Sequence, residues 1–367
     1  MVINGYALEA ELQNANSGFS KWGFATKYGR EYFIKELITP VYPIDRSIMS
    51  DELFEQRRAS CVEYEERFRK YYTVINNASC GNLVRITEFF RSGSRYYVIT
   101  EKINEKSIPV EVLASLSMHQ KMLLLKTVAN GFYKLHSSGI VHFDVKPANI
   151  LVKRTANGNY TAKLIDFDAG FFIGEDIENS ELGGDLTYLA PETFLGMYGE
   201  DVRINEKADI FALGLVFHQY CTGQLPSYNS EEYAYPYESV LDEAPLSLNL
   251  GAYPAELGTL IASMLDIDPN KRPSAGDVFN TLNEITGTVV TLEAATAYNT
   301  GYTTSYGTAP GGAVSGSRLR STMRSSRPTA VGAEIGEPVK ALGETPSEAA
   351  PAVMPTSSPW FKSAGDL

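Results

Sequence analysis

Cysteine is scarce in this chain: Cys61, Cys80 and Cys221 are all it has, an odd number without metal-ligand spacing. A disulfide scaffold is thereby excluded, no metal site follows from Cys or His, and buried thiols in a reducing compartment are expected. An excess of basic residues is also lacking. The formal net charge of −12 is opposite in sign to the surface a nucleic-acid binder presents. No run of about eighteen apolar residues is available to span a membrane, and Met1 to Glu11 shows no basic-then-apolar leader pattern. These absences lead to the expectation of a soluble, cytoplasmic protein that binds no nucleic acid.

What is present is enough for a sizeable core. Of 367 residues, 44% are hydrophobic and 11% aromatic, which suits a two-part globular body with an appendage. Leu8 to Leu37 alternates apolar and polar residues around a turn signal at Tyr28-Gly29-Arg30 and reads as three antiparallel strands. Asp51 to Ile75 is a charged helix with Tyr64, Phe68, Tyr71, Tyr72 and Ile75 on one face. Leu83 to Phe90 and Arg95 to Thr100 read as two further strands. Val110 to Ser117 and Lys121 to His136 are helical by their three- and four-residue apolar steps. Ile150 to Lys153 and Ala162 to Ile165 form a hairpin around Asn157-Gly158. From about Gly287 the composition turns to Thr, Ser, Ala, Gly and Pro without periodicity, so a disordered tail is expected over 287–367.

The chemistry concentrates in His142-Phe143-Asp144-Val145-Lys146-Pro147-Ala148-Asn149, which sets a carboxylate, an ammonium and a carboxamide in one short loop between a helix and a strand. His, Asp and Asn are ordinary loop residues, so this stretch by itself also fits a plain polar connection. Its pattern, H-x-D-x-K-P-x-N, resembles the catalytic loop of protein kinases, with Phe143 in place of the usual Arg. The resemblance implies that Asp144 accepts the proton of a substrate hydroxyl, that Lys146 neutralises the moving phosphoryl group and that Asn149 holds a metal ion. Lys at the second position after Asp is the serine/threonine version.

Other landmarks of that family follow in order. Lys35, in Phe33-Ile34-Lys35, falls where the nucleotide-anchoring lysine belongs, although alone it reads as a solvated strand lysine. Ala15, Ser17 and Ser20 fill the positions of the phosphate-covering glycines, with Gly18 between them. A helix glutamate should pair with Lys35. At about 100° per residue Glu65 lies at the border of the apolar face while Glu66 points to water, so Glu65 is chosen. The register implies that Thr100 backs an adenine pocket whose edge is bound by the backbone of Glu101 to Ile103. Asp166-Phe167-Asp168 stands in place of D-F-G. Asp166 is then a Mg²⁺ ligand, and Asp168 either locks the turn or adds an acidic ligand near the metals.

Gly184 to Glu192 is close to G-T-x-x-Y-x-A-P-E, with Asp185 where the family has Thr, so a pairing with Lys146 is expected. Asp209 should brace the catalytic loop, and Glu192 should form an architectural ion pair with Arg272. Without the Arg that Phe143 replaces, a phosphate on the activation segment loses its usual partner, so no dependence on phosphorylation there is expected. The acids Glu175, Asp176, Glu178 and Glu181 reinforce this.

The fold class implied is α+β: a bilobal protein-kinase fold with a five-stranded β N-lobe and one main helix over 1–103, and a mainly helical C-lobe over 104–286. The cofactors implied are ATP and Mg²⁺ or Mn²⁺; the partner implied is a protein substrate. The tail, where Arg318, Arg320, Arg324 and Arg327 alternate with Ser and Thr, is a candidate acceptor, and Pro359-Trp360-Phe361 a candidate docking peptide. The leading function is ATP-dependent phosphorylation of serine or threonine. Against it stand a catalytically weak ATP-binding scaffold, suggested by the departures at the glycine loop, Phe143, Asp168 and Asp185, and a small-molecule kinase of the same fold.

Overall fold

An antiparallel sheet and a bundle of helices meet along a cleft. The computed structural model describes residues 1–14, 20–103, 107–178, 182–244 and 246–300; the tail from 301, with its basic Ser/Thr stretch and aromatic end, lies outside the described residues, as do Ala15, Ser17 and Gly18. Met1–Asn299 forms one unit.

The sheet has six strands, β1 (Val2–Ile3), β2 (Tyr6–Leu8), β3 (Ser20–Lys27), β4 (Arg30–Leu37), β5 (Ile86–Ser92) and β6 (Arg95–Glu101), in the order β1-β2-β3-β4-β6-β5. Five were expected; the extra strand is the two-residue β1, too short to show alternation, which folds back on β2 with Val2 opposite Ala7. The β3–β4 turn uses Tyr28 at φ 52° and Gly29 at φ 71°. Two left-handed residues in succession give the hairpin the twist of its strands and fix the register that sets Trp22 opposite Lys35 and Phe24 opposite Phe33. One face of the sheet buries Tyr6, Ala25, Ile34, Tyr97 and Ile99 in a small core. The other face packs on helix α1 and the cleft.

Helix α1 (Asp51–Ala78) begins at Ser50, whose hydroxyl accepts the Leu53 N–H at 3.3 Å. Its buried side chains are Phe54, Cys61, Phe68, Tyr71, Tyr72 and Ile75. All but Phe54 join the main core, which continues through α2 (Val110–Ala114) and α3 (Met118–Ser137) into the helical half. A short β7 (Ile140–Val141) leads to the catalytic-loop stretch, followed by the hairpin β8 (Ile150–Arg154) and β9 (Tyr160–Leu164) and by β10 (Phe171–Phe172), which pairs back onto β7. The remaining helices are α4 (Pro191–Met197), α5 (Lys207–Thr222), α6 (Pro236–Leu241), α7 (Ala255–Met264) and α8 (Ala275–Thr300). Helix α5 is buried nearly all round and stops at Gly223, left-handed at φ 84°. Helix α8 runs past Gly287, where the composition changes, because its first three turns are anchored by buried Val278, Leu282 and Ile285.

Two expected braces are present. Glu192, at the start of α4, meets Arg272 in a bidentate pair at 2.7 and 2.8 Å, and Arg272 also donates to the carbonyls of Asp266 (2.7 Å) and Lys207 (2.9 Å). Asp209, in the first turn of α5, accepts the backbone N–H of His142 and of Phe143, each at 2.8 Å, and faces His136 Nε2 at 2.8 Å.

Candidate active site

The cleft between sheet and helices is open to solvent and has a cavity volume of about 210 Å³. Phe24 and Phe33 line its sheet side, with Val84, Ile86, Val98 and Thr100; Leu151 and Ile165 line the opposite side; Glu101 and Ile103 lie at its edge. Phe33 stacks on Trp22 with ring centres 5.7 Å apart, so this wall is an aromatic plate rather than a set of aliphatic branches. Thr100, Glu101 and Ile103, the residues expected at the adenine, all line this cleft. Ser20 opens β3, buried and opposite Leu37, and is not part of the cleft lining.

The inner end of the cleft is charged. Lys35 Nζ donates to Asp166 Oδ1 at 2.6 Å and to Asp168 Oδ2 at 2.8 Å. Burial alone would lower the Lys35 pKa, but the two carboxylates outweigh it and raise it. The acids respond in opposite directions. Burial raises both, yet the Lys35 ammonium, closer to Asp166, holds that carboxyl below its usual range, whereas Asp168, deeper and beside the Asp166 charge, is raised.

Glu65 does not pair with Lys35. Its carboxylate accepts from Arg91 Nε at 3.2 Å and faces Arg69 one turn along the helix at 3.8 Å. The α1 residue that lines the cleft is Tyr72, while Tyr64 and Phe68 pack on Phe89 and Tyr96 of the sheet, and Arg91, on β5, holds the glutamate. Asp168 supplies the carboxylate instead, so it is neither an unpaired acid nor strained: Asp168 is not among the positive-φ residues.

Catalytic-loop geometry depends on Asp209. Phe143 is left-handed at φ 66°, an unfavourable conformation for an aromatic residue, and the Asp209 carboxylate holds its N–H there. The Phe143 ring packs edge-on against Phe171 at 5.1 Å. Asp144, the next residue, has its Oδ2 held by Asn149 Nδ2 at 2.7 Å and by Lys146 Nζ at 2.9 Å. His142 ties this loop to the other half of the site: its Nε2–H donates to the Ile165 carbonyl at 3.0 Å, next to Asp166, itself left-handed at φ 63°. Asp185 does not reach Lys146. The Asp185 carboxylate accepts the Thr187 N–H at 3.0 Å in a local turn, which two residues of separation make the shorter route. Asp144 and Asp185 both border a separate small hollow of about 20 Å³, with Tyr188, Leu189 and Thr193.

Sequence reasoning missed Arg67 and Tyr71. Arg67, on α1, donates to Glu175 through Nε at 3.3 Å and Nη2 at 3.0 Å, while the Tyr71 hydroxyl donates to the Phe167 carbonyl at 3.2 Å. Both link the helix to the segment after β9. The acids around Glu175 were visible in the sequence; which cation meets them was not.

The donor set fits a magnesium nucleotide. Asp166 offers a hard carboxylate oxygen at one end of an apolar slot, beside Lys35, and Asn149 an amide oxygen on the loop that His142 ties to Ile165. The family model described as Protein kinase domain matches residues 52–282, well over half of the chain, which therefore belongs to the protein kinase family. The chain is similar to a probable serine/threonine-protein kinase of Dictyostelium discoideum (28% identical over 243 residues, 60% of this chain and 23% of that protein). It is similar as well to the serine/threonine-protein kinase pkn2 of Myxococcus xanthus (26% over 230 residues, 57% and 26%) and to a Wee1-like protein kinase of Oryza sativa subsp. japonica (29% over 248 residues, 67% and 42%). The chain spans less than half the length of each of these three. Among the described residues no helix is long and apolar enough to cross a membrane.

Proposed function

We propose that this protein transfers the γ-phosphate of ATP to serine or threonine of a protein substrate. The observation that carries the reading is the meeting of Lys35 with Asp166 at the inner end of the cleft and, on the loop that His142 ties to Ile165, of Asp144 with Asn149 and Lys146. The adenine lies in the apolar slot against Phe33 and Leu151, with the backbone of Glu101 to Ile103 at its edge. Lys35 binds the nucleotide's phosphates. Asp166 and Asn149 hold Mg²⁺ or Mn²⁺; the Asn149 amide nitrogen is committed to Asp144, so its amide oxygen is the group it offers. A bound divalent cation supplies charge neutralisation between the phosphates.

The acceptor hydroxyl enters from the hollow shared by Asp144 and Asp185 and donates to the Asp144 carboxylate. Its oxygen forms the new bond to the γ-phosphorus, the bond from that phosphorus to the β,γ-bridging oxygen breaks, ADP leaves, and the hydroxyl proton passes to Asp144 and then to solvent. Lys146, 2.9 Å from Asp144, neutralises charge on the transferring group. Incubation with labelled ATP and Mg²⁺ or Mn²⁺, with the protein itself and a generic basic protein as acceptors, should give phosphoserine or phosphothreonine. Lys35→Ala and Asp144→Ala should abolish it. Nucleotide binding without any transfer would favour a scaffold.

Activity is read as independent of activation-segment phosphorylation. Phe143, packed on Phe171, offers no cation to a phosphate, and Arg67 is already bound by the permanent acid Glu175. Phosphatase treatment should leave the rate unchanged; a large drop would refute this. The three unpaired cysteines suit a reducing cytoplasm, which subcellular fractionation checks.

A further inference from the structure

Among the described residues, every acid bonded to Lys35 comes from a single turn, Asp166-Phe167-Asp168, and none comes from helix α1. We infer that Asp168 is the positioning residue that sets the Lys35 ammonium against the nucleotide's phosphates, the task expected of Glu65. This rests on the kinase reading above and deepens it.

Three observations carry the inference. The first is division of labour within the turn. The Asp168 side chain is 17% exposed and that of Asp166 35% exposed, so Asp168 is the inner partner and Asp166 faces the open cleft. When Asp166 is drawn to a divalent cation, Asp168 at 2.8 Å is the carboxylate that remains on Lys35. The second is what α1 presents. Tyr64 and Phe68 lie with ring centres 4.3 Å apart, Tyr72 lines the cleft, and burial first and the Asp168 charge second push the Tyr64 and Tyr72 phenols up. Asp168 therefore lines the same cleft as Lys35 and Tyr72, and what α1 offers there is an uncharged aromatic ring rather than a carboxylate. The third is backbone compatibility. Asp168 is outside the left-handed region, so the carboxylate is carried without strain, and removing it leaves the turn's conformation available. As a consequence α1 is joined to the site by packing and by the Tyr71 hydroxyl on the Phe167 carbonyl, not by an ion pair with Lys35.

The test compares Asp168→Asn, Asp168→Gly and Glu65→Gln in the full chain. Calorimetric affinity for Mg-ADP and KM for ATP and for a protein acceptor are measured together with kcat. Asp168→Asn and Asp168→Gly should each weaken Mg-ADP binding and raise KM for ATP about 10-fold or more, the loss of one charge-assisted bond, while KM for the acceptor stays within about 2-fold. Glu65→Gln should change neither by more than about 2-fold. In a Lys35→Gln background, adding Asp168→Asn should cause no further loss of affinity, because Asp168 acts through Lys35. Unchanged affinity in both Asp168 variants, an equal loss in Glu65→Gln, or additive losses with Lys35→Gln would each overturn the inference. A wild type that binds Mg-ADP but transfers no phosphate would instead refute the kinase reading, and the affinity comparison would still judge Asp168.

Discussion

Replacing Asp209 by Asn tests how the catalytic loop is held. Asp209 is 1% exposed and takes three donors at 2.8 Å, from His136 Nε2, His142 N and Phe143 N. Asparagine keeps one oxygen and turns an NH₂ towards at least one of those donors. Losing one hydrogen bond to a buried charged acceptor costs about 1.5–3 kcal/mol. Holding Phe143 at φ 66° costs about 1–3 kcal/mol. The restraint and the strain are of the same size, so in Asp209→Asn the strained loop is no longer the dominant conformation. Asp144 follows Phe143 directly and loses its aim with it. The expected result is a fall in kcat of about 10- to 100-fold, with KM for ATP within about 3-fold because the nucleotide slot is built elsewhere. Hydrogen exchange at the His142 and Phe143 amides should accelerate in parallel, whatever the activity. Wild-type protection of those amides together with a kcat within about 2-fold would refute the reasoning.

Other perturbations have equally definite outcomes. Arg272→Met leaves the Glu192 carboxylate buried without its partner, at a cost of about 3–5 kcal/mol. The thermal midpoint should fall by about 10 °C, and Glu192→Gln on top of Arg272→Met should recover part of the loss in the same melt. Gly170→Ala puts a Cβ within 2.6 Å of the Val141 carbonyl oxygen and into the Tyr71 hydroxyl. It should destabilise the protein by about 1–3 kcal/mol in urea unfolding and break the Tyr71 bond to Phe167. His218, buried in α5, is held below the usual histidine range by burial, which outweighs its backbone hydrogen bonds. The folded state keeps it neutral while the unfolded chain takes up a proton, so this contribution to stability is complete above about pH 6.5 and is lost as pH falls through the folded pKa. Midpoints between about pH 7 and pH 5 should therefore drop less in His218→Gln than in wild type.

Much of the fold was legible because it is written locally. The strand hairpin at Tyr28-Gly29 and the helix starting after Ser50 are decided by residues within one turn of the feature, where backbone preference and capping act. The two-residue β1 was not legible, since its pairing rests on the neighbouring strand rather than on any pattern of its own. In the site, short loops and strand ends tie spacing to placement, and the structure brings Lys35 to Asp166 and Asp144 to Asn149 and Lys146. Glu65 failed for the complementary reason. Helical periodicity says which way a side chain leaves α1 but not which of several oppositely charged groups it meets, and Arg91 and Arg69 were nearer than Lys35.

The sequence by itself determined the order of the landmarks, the polar loop from His142 to Asn149 and the Glu192–Arg272 brace, whose members are rare charged residues in an apolar setting and must find each other once buried. Only the tertiary structure decided the partner of Lys35, the partner of Asp185 and the Arg67–Glu175 link. Ion pairs are settled by a few ångströms of distance and by competition among carboxylates and cations that are chemically alike, and those distances exist only after sheet, helix and turn have packed.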